Sequence, residues 1–290
     1  MIETLSRGTG IPFNRLEGTT LQSFRGVLFE NVTINGATPF VLSLGLYHRI
    51  RRSFGSQYCP RCLDTEIPYA RLTWRLAWNT CCEKHGCLLR DRCHACQHPY
   101  VFHRKGFQVC WYCGADLRGG PVVACDPEVL SLQGELRANL EDDWTLCSRT
   151  TAKHPLVAFN VIRDLMSLIA FGKRSAAFRS ALDPTLAAAT PVQLLIKPVV
   201  RGVERLDHEA RHFVMKFLTI AIENWPARFV DGALKANLWR SWVHKDRRLS
   251  ELPFPIATLF GRDIVPDHDS ITGKKHLRSP DGPDTTVSSR

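Results

Sequence analysis

Four ligand pairs with two residues between partners follow one another from Cys59 to Cys113. Cys59-Pro60-Arg61-Cys62 and Cys82-Glu83-Lys84-His85 together supply three thiolates and one imidazole. Cys93-His94-Ala95-Cys96 and Cys110-Trp111-Tyr112-Cys113 supply four thiolates. Two intervening residues let one tight turn present both side chains to the same ion, and two such turns complete a tetrahedron. The expectation is two structural Zn²⁺ ions, the first on Cys59, Cys62, Cys82 and His85, the second on Cys93, Cys96, Cys110 and Cys113. Each set fills all four positions, whereas a catalytic zinc keeps one for water. Zinc should contribute folding free energy on the order of 10 kcal/mol per site.

Some neighbouring residues compete for these roles. Cys81 adjoins Cys82, but only Cys82 has the two-residue spacing to His85, so Cys82 is assigned. Cys87, His94 and His98 lie close by and receive no ligand role. Disulfides and a redox C-x-x-C remain the alternatives, and four successive pairs fit neither well. Cys125 and Cys147 stand apart and read as structural thiols.

The elements around these ligands read as mainly α with small β, in which helix-turn-helix segments flank two tandem zinc-finger units of ribbon or knuckle type with short hairpins. With 290 residues, 44% of them apolar, the chain can bury a core. Residues 1–56 read as an abbreviated helix-turn-helix and linker, 57–118 as the tandem zinc domain and 119–150 as a linker. Residues 151–262 read as a C-terminal helical domain with a helix-turn-helix, and 263–290 as a disordered tail poor in apolar residues. Pro155 opens a helix with Ala158, Ile162, Leu165 and Ile169 on one face, ended by Gly172. Asp207 caps a second, whose stripe runs from Ala210 to Trp225. Pro226 starts a shorter one with Phe229, Val230 and Ala233, and Asn237 caps a third, LWRSWVHKDRR. Between the first knuckles, PYARLTWRLAW reads as a helix from Pro68. It would put Arg71, Trp74, Arg75 and Trp78 on one face and Tyr69, Leu72 and Leu76 on the other. That face either stacks on bases or, the reading we favour, covers a neighbouring domain with Trp74 and Trp78 while Leu72 and Leu76 pack on the zinc core.

The runs YCPRCL, PYARLTWRLAW, CCEKHGCLL, CHAC and CWYCGADLR resemble, in order and spacing, the TniQ family of transposon target-selection proteins, which includes TnsD-like members. The resemblance is strongest from Tyr58 to Leu117. It extends to RHFVMKFLTIAIENWPARFV and LPFPIATLF, similar to that family's C-terminal helix-turn-helix segment. In LSRGTGIPFNRL, the residues Leu5, Ser6, Gly10, Ile11 and Leu16 stand where a helix-turn-helix puts its apolar anchors and turn glycine. The family usually begins with a further helix, which this sequence starts too late to include.

The resemblance implies a non-enzymatic bridge. Such proteins recognise an attachment site in DNA, or a guide-RNA effector already on DNA, and recruit an AAA+ transposition ATPase, while a separate transposase does the chemistry. The sequence agrees in lacking a G-x-x-x-x-G-K-S/T phosphate loop and an evident two-metal carboxylate cluster. Formal charge is +10 from 38 Lys and Arg against 28 Asp and Glu. Seven thiolates beside two Zn²⁺ would lower it to about +7, still a basic surface suited to a polyanion. Arg7, Arg15, Arg104, Lys105, Arg240, Lys245, Arg247 and Arg248 are the candidate phosphate or partner contacts. No export signal and no run of 18 apolar residues occur, so a cytoplasmic protein without membrane contact is expected. The alternatives are a pure protein adaptor, a zinc-containing DNA-binding regulator outside transposition, a zinc-dependent hydrolase, and a degenerate remnant.

Overall fold

The computed structural model describes residues 2–32, 38–44, 46–47, 50–51, 54–141, 145–195, 202–238 and Ile256. Its N-terminal segment begins with α1 (Ile2–Thr9) and α2 (Phe13–Glu17), joined around Gly10, whose φ of +69° a residue with a β-carbon adopts only at a cost. No residue of either helix is buried, and the expected anchors Leu5 and Ile11 are 50% and 40% exposed. The two-helix pattern is therefore present, but these side chains anchor nothing among the described residues. Downstream, Leu28, Phe29, Phe40 and Leu42 enter the main core. The Phe40 N–H donates to Glu204 Oε1 at 2.9 Å, and Arg163 Nε holds the same oxygen at 2.8 Å. This stretch is thus fastened to the helical body instead of forming the expected linker.

A short antiparallel pair, β1 (Leu46–Tyr47) and β2 (Ile50–Arg51), precedes the cysteine-rich unit. That unit holds α3 (Pro60–Leu63), the hairpin of β3 (Cys81–Cys82) and β4 (Cys87–Leu88), and α4 (Phe102–Lys105). It has its own core of Tyr58, Leu63, Trp74, Leu89, Tyr100 and Leu117 packed around the ligand cysteines. The expected helix in PYARLTWRLAW is not formed. Only a 3₁₀ turn, Leu72–Arg75, appears, with extended backbone at Arg71 and Leu76 on either side. The reason is tertiary. Leu42 N–H donates to Arg75 O, Ala77 N–H to Phe40 O, and Gln57 Nε2 donates to the carbonyls of Trp74 and Asn79, so outside partners take groups a helix would use internally. The expected faces fail with it: Trp74 lies in the core of the cysteine-rich unit, whereas Leu76 and Trp78 lie in the helical core.

The helical body follows: α5 (Pro127–Ala138), α6 (Thr145–Arg149), α7 (Pro155–Ala170), α8 (Ser175–Leu182), α9 (Pro184–Ala188), α10 (Val192–Leu195), α11 (His208–Ile222) and α12 (Ala227–Lys235). Residues 119–150 are not a linker, because α5 buries Val129, Leu132, Gln133 and Leu136 in this body. The His154 side chain caps α7 by accepting from Leu156 N–H, with Pro155 at the first turn. Eleven of its sixteen residues are buried, the signature of a central helix enclosed by its neighbours. Against it lies α11, capped by Asp207, whose carboxylate accepts from Ala210 N–H at 3.0 Å. Gly232 lets α12 approach α8, since a β-carbon there would sit 2.9 Å from Leu182 Cδ2. α12 ends at Lys235 with Ala236 as its C-cap, and Asn237, the next residue, has φ +48°, a left-handed stop. The helix expected beyond it, with Arg240, Lys245, Arg247 and Arg248, and the expected tail 263–290 lie outside the described residues. Among the described residues no single helix is long and apolar enough to cross a membrane.

Candidate metal centres

One turn geometry recurs in three of the four knuckles. Cys82, Cys93 and Cys110 each accept, at the carbonyl, an N–H from the residue four positions on: Gly86 at 2.8 Å, Gln97 and Gly114 each at 3.0 Å. Those three residues have φ of +57°, +60° and +78°. The left-handed residue folds the chain back so that the second ligand turns towards the first. At Cys59 the turn is instead the start of α3, with Pro60 at its first position and Leu63 N–H donating to Cys59 O at 3.1 Å.

These turns assemble two clusters, Cys59 with Cys62, Cys82 and His85, and Cys93 with Cys96, Cys110 and Cys113. In the first, His85 Nδ1 stands 3.4 Å from Cys59 Sγ, 3.3 Å from Cys62 Sγ and 3.5 Å from Cys82 Sγ, and Cys62 and Cys82 sulfurs are 3.6 Å apart. In the second, Cys93–Cys113 and Cys96–Cys110 separations are both 3.7 Å. A tetrahedral ion with sulfur at about 2.3 Å has edges of about 3.8 Å, so the donors stand at the spacing of zinc ligands and well beyond that of disulfides. Burial raises the thiols of Cys62 and Cys96, the latter to about 12, and His85 is lowered by burial and the nearby Lys84, Arg61 and Arg71. Exposed Cys113 is lowered to about 7, chiefly by the hydrogen bond from Ala115 N–H. The donor set and spacing fit a divalent soft-to-borderline cation, and both clusters could hold zinc.

Cys87 approaches Cys59 Sγ to 3.6 Å yet lies outside the four-donor cluster, as a thiol at its edge. The two units are tied by paired backbone bonds between Tyr58 and Arg90, by Tyr58 against Tyr100 at 4.6 Å, and by Gln108 Nε2 donating to Leu63 O. Around the second cluster, His98 stacks on Tyr112 at 3.5 Å and the Arg104 guanidinium lies 4.5 Å over Trp111. His103, Arg104, Lys105 and Tyr112 are exposed there, and Arg7 and Arg15 are exposed on α1 and α2. Arg104 and Lys105 belong to one patch, which the structure does not bring together with Arg7 and Arg15 in any described contact.

Sequence reading missed the seam between the zinc unit and the helical body. Asp91, 2% exposed, accepts from His208 backbone N–H at 2.7 Å and from Arg92 at 2.9 Å. Fully buried Arg211 donates to Ala77 O, Leu206 O and Gln57 Oε1. It missed also that Cys81, weighed only against Cys82 as a ligand, and Cys125, expected to be a structural thiol, are joined as a disulfide beside His212, while Cys147 stays a free buried thiol. The polar residues embedded in the Asp207–Trp225 stripe were the available signal.

The family model described as TniQ matches residues 1–89. The match spans the first cluster and ends before the second. Neither a curated protein nor a solved structure matches the chain.

Proposed function

From the match of residues 1–89 to the model of the TniQ family, which is associated with transposition, we propose that the chain is a non-catalytic, cytoplasmic targeting component of that family. In this reading it touches DNA, or a guide-RNA effector already on DNA, and recruits an AAA+ transposition ATPase. Two closed Zn²⁺ sites hold the middle of the molecule in shape.

The observation that carries direct nucleic-acid contact is the face of the second zinc unit. From Arg92 to Ala115 the chain has no carboxylate, while it carries Arg104, Lys105 and three histidines beyond Arg92. Arg104 is held over Trp111, and exposed Tyr112 is stacked on His98, so cationic and flat aromatic groups share one surface. Phosphates are attracted to the first and bases stack on the second.

The test is anisotropy of labelled duplex at several salt concentrations. A protein neutralising Z phosphates shows a log-log slope near −0.9Z, and replacing Arg104 and Lys105 together by alanine should reduce that slope by about two. A flat salt response would overturn direct contact. The adaptor reading is favoured by one observation, the exposed Leu5 on α1, Phe13 on α2 and Ile11 between them. Co-purification with the ATPase and no retention of duplex would support it. Cobalt spectra showing an open, water-bearing site in either four-donor cluster would instead favour a hydrolase.

A further inference from the structure

A third group of metal-binding atoms lies where the zinc unit meets the helical body. Cys81 comes from β3, Cys125 from the residue before the N-cap of α5, and His212 from the second turn of α11; their ligand atoms lie within 4.8 Å of one another. Cys81 is 1% exposed and His212 8%. The two sulfurs are bonded to each other. The imidazole is already oriented as metal-bound histidines are. Its Nε2 stands 2.9 Å from Asp126 Oδ2, a carboxylate also held by Lys216 Nζ at 3.1 Å, and its Nδ1 faces Thr80 Oγ1 at 3.0 Å and Cys81 Sγ at 4.0 Å. A carboxylate on one ring nitrogen, with the other left towards the ligand sulfurs, is the outer-shell pattern that fixes tautomer and ring plane at metal sites.

The backbone is equally prepared. Gln133 Oε1 accepts from the N–H groups of Thr80 and Cys81, and its Nε2 donates to Cys81 O at 2.8 Å. Cys125 N–H donates to Gly86 O at 3.0 Å. Both cysteines are held from outside the pair, so breaking their bond leaves their α-carbons, 6.0 Å apart, in place.

We propose that Cys81, Cys125 and His212 form a third metal site, loaded with Zn²⁺ when the pair is reduced and emptied when it is a disulfide. On loading, each thiol gives up its proton and the ion takes two thiolates and His212 Nδ1, with water completing the fourth position. On oxidation by a small-molecule disulfide, the two thiolates lose two electrons in forming the sulfur–sulfur bond and Zn²⁺ leaves. The oxidant's own bond is cleaved, and its two sulfurs take up two protons as thiols. This goes beyond the targeting reading and does not depend on it.

Native mass spectrometry of the full chain tests it, with protein prepared anaerobically with thiol reductant and Zn²⁺ and freed of loose metal. The expected count is three ions for the natural chain and two for Cys125→Ser. Treatment with oxidised glutathione should release one ion and yield a tryptic peptide linking Cys81 to Cys125. Circular dichroism of Cys125→Ser matching the natural chain shows that the lost ion is not lost fold. Cobalt loading gives a second reading, with sulfur-to-metal absorption dropping in His212→Asn by the share of one site. A count of two in both reduced proteins, with Cys81 and Cys125 open to alkylation once denatured, overturns the proposal. So does a Cys125→Ser variant that keeps every ion of the natural chain.

Discussion

At the scale of single residues, the first cluster contains more sulfur than one ion needs, and position decides which thiols count. Cys82 Sγ lies 3.5 Å from His85 Nδ1, whereas Cys87 meets Cys59 from outside the four-donor set. Cys82→Ser should therefore lower the zinc count of the reduced chain by one, and Cys87→Ser should leave it unchanged; metal analysis of the two variants decides. Spacing makes the eight donors legible in the sequence itself, because a knuckle is local. Cys81 with Cys125 and His212 is not legible in that way, since residues 44 and 131 positions away from Cys81 meet it only through tertiary packing. His208 belongs to the same illegible class. Its Nε2 bonds Thr80 O at 2.7 Å, and burial, then the Arg211 charge, push its pKa down to about 3 against the pull of Asp91. The folded chain keeps it neutral, while the unfolded chain binds a proton below about 6.5, so its contribution is full above that pH and falls as pH drops towards 3. Urea unfolding of the natural chain and His208→Gln across this window should show the natural chain's advantage shrinking by up to about 1.4 kcal/mol per pH unit; a constant difference would refute it.

At the scale of elements, α5 has a role that its sequence conceals. Residues 127–138 alternate polar and apolar groups weakly, and the stretch reads as a linker, yet Gln133 on its inner face is fully buried and holds Thr80 and Cys81 by three hydrogen bonds. Gln133→Ala leaves two donors and a carbonyl in the interior without that partner. It should cost about 3 kcal/mol in urea unfolding, more than an exposed substitution such as Glu128→Ala on the same helix. By contrast, α7 and α11 are legible in detail. Their periodic apolar residues, Pro155 at a first turn and Asp207 at a cap are local signals that the fold obeys. PYARLTWRLAW has the composition of a helix and still forms only a single 3₁₀ turn, because Phe40, Leu42 and Gln57 bond its backbone from outside. Propensity is a small term per residue, and several such bonds outweigh it.

For the whole molecule, the consequence is that the zinc unit and the helical body do not fold as separate beads. Trp78, Leu76 and Cys81 leave the cysteine-rich stretch to complete the helical core, Phe40 and Leu42 come to it from the N-terminal side, and Asp91, His208 and Arg211 bridge the seam. Removing zinc should free the knuckles, whose own core is small and built around the ligand cysteines. The α7–α11 packing, with Leu165, Ile169, Val214 and Phe217 fully buried, keeps its helices because their apolar faces still cover one another. The loss of Trp78 and Arg211 anchoring then lowers the stability of that body without melting it. With EDTA, trypsin should cut first at Arg90, Arg104 or Lys105 and leave a fragment retaining α5 to α12. Far-UV ellipticity should fall only modestly, and the fragment should unfold at lower urea than the metal-loaded chain. An identical cleavage pattern with and without chelator would mean that the knuckles stand without an ion, and simultaneous loss of all helix would mean that the seam, not the apolar faces, holds the body together.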